Sequence, residues 1–89
     1  MKFELLKYGV NLGSRLLGKE VGIELRQEIG LSKTIILDFE GVRFVSSSFI
    51  SEVICSLYQK GIEVSYINTK ELIAKQIQFA LDNEKSLVH

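Results

Sequence analysis

Apolar and polar residues along the chain follow two alternating spacings, which predict strands separated by helices. A weak alternation over residues 3–8 predicts a first strand that ends at Gly9. The nearly unbroken apolar run over 34–39, before the turn signal Glu40-Gly41, predicts a strand covered on both faces. A third strand is predicted from four apolar positions: Ile62, Val64, Tyr66 and Ile67.

A first helix is predicted between the first two strands. Ser14 is placed to cap its start, and Gly30 to end it after Ile29. Its apolar stripe recurs every four residues: Leu17, Val21, Leu25 and Ile29. Gly18 and Gly22 lie beside this stripe. Since glycine is costly inside a helix, we expect these two to let the helix backbone approach the sheet closely.

A second helix is predicted to begin at Ser47 or Ser48 and to extend to about Lys60, with Gly61 at its end. Its core face is the set Ile50, Val53, Ile54 and Leu57. Phe49 flanks that face, and the same periodicity points two polar residues, Glu52 and Ser56, towards water.

A third helix is predicted after the last strand. Asn68 or Thr69 is expected to cap it, with Glu71 in its first turn, where the helix dipole favours a carboxylate. Its inward stripe is Ile73, Ile77, Ala80 and Leu81, while Leu72 and Phe79 lie to one side. The polar residues 83–89 are expected to fray.

These elements predict one α/β domain over residues 1–89, in the order β-α-β-α-β-α. Right-handed crossovers then give a small sheet, mostly parallel or mixed, with helices packed on it. The serines that follow the 34–39 strand lie at a strand carboxyl end, where open α/β sheets usually place their binding sites. Sequence order and fold therefore indicate the same region as the functional site.

Composition excludes several classes of function. Eleven basic and eleven acidic residues give a net charge of zero, which disfavours nucleic acid as a partner. No apolar stretch reaches the roughly 20 residues of a membrane span. Cys55 is the single cysteine, so no intrachain disulfide forms, and we expect a cytoplasmic protein. The single histidine, His89, has no neighbours at metal-ligand spacing, so neither a metal nor a cofactor is expected.

Around the predicted site the sequence resembles a known family. The segments LDFEGV at 37–42 and FVSSS at 44–48 resemble the signature of STAS domains, the fold of bacterial anti-sigma factor antagonists. The run of Ser47, Ser48, Phe49 and Glu52 resembles more closely a STAS-like family of uncharacterised function. That family also favours a Gly-Ser/Thr-Arg run, which residues 13–15 match.

The resemblance implies a regulatory protein that works through contacts with another protein. In anti-sigma factor antagonists, the first serine after the loop aspartate accepts a phosphate from a partner ATPase kinase, and that position is Ser47 here. The aspartate position is held by Ser46 and the glycine position by Phe49. The implied partner is a histidine-kinase-like ATPase or a serine kinase, and the implied contact residues are Ser46, Ser48, Phe49, Glu52, Asp38 and Arg15.

Two other functions remain open from the residues alone. The serines at the start of the second helix expose N–H groups that suit a small molecule, a nucleotide or another anion, with Arg15 as a contact. The glycines before Ser14 also suggest a phosphate loop, but they lack its lysine and full spacing, so a strand-to-helix turn capped by Ser14 is favoured there. An enzyme is not expected, because the only histidine is the last residue and nucleophilic catalysis by Ser47 needs a nearby base. Asp38 is expected to cap or brace the serine loop.

Overall fold

A computed structural model describes the backbone of residues 1–87 and the side chains of residues 1–82. In chain order its elements are β1 (Lys2–Glu4), a 3₁₀ helix (Leu5–Tyr8), β2 (Asn11–Leu12), α1 (Arg15–Ile29), β3 (Thr34–Asp38), β4 (Phe44–Val45), α2 (Ser47–Tyr58), β5 (Glu63–Ile67) and α3 (Glu71–Leu87). None of the described helices is both long enough and apolar enough to cross a lipid bilayer.

The main sheet has three parallel strands in the order β1-β3-β5, which confirms the predicted α/β architecture. Phe3 pairs with Leu37, and Leu37 pairs with Tyr66, so β3 is the central strand. A second small parallel sheet joins β2 to β4, with Leu12 opposite Val45. The sequence did not predict this second sheet, because strands of two residues are too short to show a periodicity.

The first strand is shorter than predicted. It ends at Glu4, and the chain then forms the 3₁₀ helix, closed by the Gly9 N–H, which donates to the Leu6 carbonyl at 2.9 Å. Leu5 is completely buried, and the Tyr8 hydroxyl donates to the carboxylate of Glu24 on α1. Leu5 and Tyr8 are three residues apart, which suits a 3₁₀ helix better than a strand.

The helices cover only one face of the main sheet. Phe3, Ile35 and Leu37 belong to the buried core, whereas Thr34 and Ile36 of the same central strand are exposed. The prediction that this strand is covered on both faces is therefore wrong. The other face stays open, as is more usual for antiparallel than for parallel sheets.

The two glycines of α1 face α2 rather than the sheet, which corrects the prediction for them. A Cβ atom at Gly18 would lie 2.8 Å from the carbonyl oxygen of Phe49, and one at Gly22 would meet the Ser56 hydroxyl. Glu52 and Ser56, predicted to point to water, line this contact instead. The glycines thus let the two helix backbones approach each other closely.

The boundaries of α1 agree with the sequence, whereas α2 ends at Tyr58, two residues before the predicted end, and α3 begins later than predicted. Ser14 caps α1 by accepting from the Leu17 N–H at 3.1 Å, as predicted. α3 begins at Glu71, so neither Asn68 nor Thr69 is at its cap position. The helix continues to Leu87 in the described backbone, and the fraying expected for residues 83–89 stays a prediction. His89 lies outside the described residues.

Candidate functional site

Ser46 fixes the start of α2. Its backbone is extended, and its hydroxyl accepts a hydrogen bond from the Phe49 N–H at 3.0 Å, which makes it the N-cap. The same hydroxyl donates to the Gly13 carbonyl at 3.1 Å. Ser46 therefore satisfies an orphan donor of the helix and also ties α2 to the loop before α1.

Arg15 links the first turns of α1 and α2. Its guanidinium donates to Glu52 Oε1 at 2.8 Å and to the Ser48 hydroxyl at 3.3 Å. The Arg15 side chain is 59% exposed, so this ion pair contributes about 0–1 kcal/mol at most. The main effect of Arg15 is geometric, because its guanidinium holds the Ser48 hydroxyl and the Glu52 carboxylate in fixed positions.

Ser47 is the first residue of α2, and it differs from Ser46 and Ser48 in its hydrogen bonding. Its side chain is half-buried, and no hydrogen bond connects its hydroxyl to any other residue of the described chain. Neither capping nor the link to Arg15 depends on it. The first turn of α2 contains no acidic residue, so the positive end of this helix dipole has no carboxylate beside it.

Phe49 was expected among the partner-contact residues, but it does not lie on an exposed surface. Its side chain is completely buried and belongs to the hydrophobic core. The residue occupies the place of a loop glycine in anti-sigma factor antagonists, and here that place holds a large core side chain. The predicted role of Phe49 in direct partner contact is therefore corrected to a structural one.

Asp38 makes its described hydrogen bonds to Asn68 and to the Glu40 N–H, and none of them reaches the three serines. It is 2% exposed, and its carboxylate accepts from the Asn68 amide at 2.8 Å and the Glu40 N–H at 3.0 Å. Lys2 Nζ lies 3.4 Å from its other oxygen. The Asn68 amide, the Glu40 N–H and Lys2 together hold the pKa of Asp38 below its usual range, although burial opposes them.

The structure thus brings together Arg15, the three serines 46–48 and Glu52. The Phe49 N–H bonds to Ser46, but the Phe49 side chain is buried in the core. Asp38 makes its described hydrogen bonds to other residues. Two hydrogen-bond partners were not predicted from the sequence: the Gly13 carbonyl, which bonds to Ser46, and the Asn68 amide, which bonds to Asp38. For Asn68 a signal existed, because in a parallel sheet it directly follows the residue, Ile67, that pairs with Asp38. For Gly13 there was none, since a backbone carbonyl carries no residue-type signal.

Alanine substitutions should separate the first two serines. Ser46→Ala removes the cap of α2 and the donor to Gly13, so it should lower the free energy of unfolding by about 1–2 kcal/mol. Ser47→Ala should change it by less than about 0.5 kcal/mol, since the Ser47 hydroxyl bonds to nothing in the described chain. Urea unfolding of both variants measures this. Equal losses would contradict the assignment of Ser46 as the cap.

The Asp38 network should make stability depend on pH. Because the pKa of Asp38 is lower in the folded state than its unfolded value of about 3.9, its contribution is present above that value and lost as pH falls through the folded pKa. Wild type should therefore exceed Asp38→Asn in stability near neutral pH, by a margin that shrinks below about pH 4. Urea unfolding of both proteins across this range tests it, and a margin independent of pH would contradict it.

The sequence matches, over residues 21–79, the family described as STAS-like domain of unknown function (DUF4325). This range includes most of α1, the serine segment, all of α2 and β5, and the beginning of α3. The chain belongs to this family. No curated protein and no solved structure matches the chain. The STAS-like domain thus has a recognised family, and Arg15 lies just outside the matched range.

Proposed function

We propose that this STAS-like domain is a non-catalytic regulatory protein that binds a protein partner around the start of α2, and that phosphorylation of Ser47 switches this binding. One observation carries the proposal. Of the three adjacent serines, Ser46 caps the helix and Ser48 contacts Arg15, whereas the Ser47 hydroxyl bonds to no described residue. A modification at Ser47 therefore breaks no contact that holds the domain together.

The physical basis of the switch is an asymmetry between the domain and its partner. A phosphate on serine carries about −1.5 to −2 charges at neutral pH. At the start of α2 this charge meets the positive end of the helix dipole, with no acidic residue in the first turn to repel it. A partner surface that fits a neutral hydroxyl is repelled by the same charge. Binding then changes while the fold stays intact.

Resemblance to anti-sigma factor antagonists supplies the class of partner. It implies a histidine-kinase-like ATPase or a serine kinase, which both binds the domain and transfers the phosphate to Ser47. Glu52 lies one turn after Ser48 on α2, and Arg15 lies opposite both of them on α1. The exposed atoms of Glu52 and Arg15 therefore border the surface around Ser47. We assign them to the rim of the contact, and we exclude Phe49 and Asp38 because both are buried.

The alternative, a small molecule, nucleotide or anion at the same helix start, has less support. It requires Arg15 to be available to a negative group. The guanidinium is instead paired with Glu52 at 2.8 Å, and an anion has to displace that carboxylate before it is bound. Inorganic phosphate added to the labelled domain should therefore leave the amide signals of residues 46–49 unshifted in NMR spectra.

Affinity capture with charge variants tests the proposal. Wild type, Ser47→Ala, Ser47→Glu and Ser32→Glu are immobilised, and lysate of the cells that produce the protein is passed over each. Ser32 is exposed in the turn after α1, so its glutamate adds the same charge away from the proposed surface. Circular dichroism and urea unfolding first establish that all four proteins are folded.

The proposal predicts one protein with the ATPase or kinase features named above that binds wild type, Ser47→Ala and Ser32→Glu, and that is reduced at least tenfold on Ser47→Glu. If the partner is lost from both Ser47→Glu and Ser32→Glu, the effect comes from the added net charge and not from its position at Ser47. If all four variants retain this partner equally, or none retains such a protein, the proposal that phosphorylation of Ser47 controls binding is wrong.

A further inference from the structure

Strand β5 is the outer strand of the main sheet, and one of its sides has no pairing strand in the described chain. The Glu63 N–H donates to the Lys33 carbonyl at 2.9 Å, and the Ile67 carbonyl accepts from the Phe39 N–H at 3.1 Å. Since successive residues of a strand point their backbone groups to opposite sides, residues 63, 65 and 67 face β3. The N–H and C=O groups of Val64 and Tyr66 therefore point outwards.

This edge carries few of the features that keep sheet edges apart. Proteins commonly protect such edges with lysine, proline or a bulge, or cover them with a loop or helix. β5 has neither lysine nor proline, and its five residues pair with β3 without interruption. Val64 and Tyr66 point to the helix side of the sheet, yet they are only half-buried, as expected where no further strand lies beside them.

We propose that a second copy of this chain pairs with this edge, β5 to β5, antiparallel about a two-fold axis at Ser65. In this register Val64 lies opposite Tyr66 of the second copy, and Tyr66 lies opposite Val64. Both are hydrogen-bonded pairs, each of which exchanges two N–H···O bonds. All four outward groups of each copy are then satisfied, and the result is a continuous six-stranded sheet.

The ends of β5 select this register over its neighbours. A shift of the axis to Val64 would bring Ile62 into the ladder, but the Ile62 N–H already donates to the Leu57 carbonyl at 3.2 Å. A shift to Tyr66 would bring in Asn68, whose φ of 56° is incompatible with a strand. Only an axis at Ser65 pairs the whole strand and leaves both ends undisturbed.

The side chains are compatible with the same register. On the helix side each Val64 lies beside a Tyr66, an aromatic and β-branched pair of the kind that stabilises antiparallel strands. On the open side each Glu63 lies opposite Ile67 of the second copy. The two Glu63 carboxylates, the only charged groups of β5, are therefore not placed opposite each other. The surface shares no residue with the proposed contact around Ser47, so the two proposals stand independently.

Cysteine crosslinking and sedimentation test the pairing. In a Cys55→Ser background, Ser65→Cys places two thiols in a non-hydrogen-bonded antiparallel pair, where Cα atoms are about 4.5 Å apart and a disulfide is within reach. Glu63→Cys is the matched control, because its two copies are four residues apart along the ladder, or roughly 13 Å. Analytical ultracentrifugation measures the mass of the wild-type species in solution at the protein concentrations used for crosslinking.

We expect a wild-type species of twice the 10.1 kDa chain mass, and at least tenfold more crosslinked dimer for Ser65→Cys than for Glu63→Cys. Val64→Pro removes an outward N–H but no bond to β3, so it should sediment as a folded monomer. A monomeric wild type would overturn the proposal. So would a dimer that crosslinks equally at both positions, since it would use another surface.

Discussion

Replacing Phe49 with alanine should lower the free energy of unfolding by about 3–5 kcal/mol, the usual cost of truncating a buried phenylalanine. The Phe49 side chain is completely buried within the core cluster, at the start of α2. Its removal leaves a cavity beside the contact between α1 and α2, where the Phe49 carbonyl lies close to Gly18. Such a loss is a large fraction of the 5–15 kcal/mol typical of a small domain.

Phe79→Ala is the matched control for this prediction. Phe79 is 56% exposed on α3, so its truncation removes the same atoms from a much less buried site and should cost less than about 1 kcal/mol. Urea unfolding of both variants gives the comparison. If Phe49→Ala does not fold, Phe49→Leu should still fold with a smaller loss. Equal losses at positions 49 and 79 would show that Phe49 is not a core residue.

Replacing Gly18 with valine should lower the free energy of unfolding by roughly 2–3 kcal/mol, the upper part of the range for overpacking. A Cβ at this position would lie 2.8 Å from the Phe49 carbonyl oxygen and 3.0 Å from the Glu52 Cβ. Because the nearest atom belongs to the backbone of α2, it cannot rotate away. The helices must separate instead, at the end where Arg15 contacts Ser48.

Glu20→Val controls for the intrinsic cost of valine in a helix. Glu20 is exposed on α1 two residues from Gly18, so valine at position 20 makes no close contact with α2. Glycine is a poorer helix former than glutamate, so helix propensity favours valine at position 18 and disfavours it at position 20, and a larger loss at 18 reports the close contact. The loss for Glu20→Val should stay below about 0.7 kcal/mol, the range of helix propensities. Thermal or urea unfolding of the two variants measures the difference. Similar losses would mean that α1 and α2 tolerate a larger separation than the structure indicates.

The sequence predicted those parts of the fold that repeat over many residues. The four-residue spacing of apolar positions in α1 and the apolar runs of β3 and β5 identified these elements and the position of β3. It failed where the deciding contacts are between elements. The positions of Gly18 and Gly22 indicated close packing, but nothing in the spacing distinguished the sheet from α2 as the neighbour. The open face of β3 was missed because Ile36 is apolar yet exposed.

At the candidate site, Arg15 and the serines lie together in the structure, but the sequence did not distinguish the roles of the three serines. Any of the three serines satisfies the chemistry of an N-cap, and only the extended backbone of Ser46 assigns that role. Asp38 was expected to cap or brace the serine loop. The parallel pairing of β3 with β5 places Asn68 beside it instead.

Phosphopeptide mapping of the protein purified from the cells that produce it shows whether Ser47 is the serine that becomes phosphorylated. Trypsin releases residues 44–60 as one peptide, which contains all three adjacent serines. Fragmentation of this peptide locates a phosphate on one of them. We expect phosphate on Ser47, with Ser46 and Ser48 unmodified. Phosphate on Ser46 or Ser48, or a peptide that is unmodified under every growth condition, would contradict this expectation.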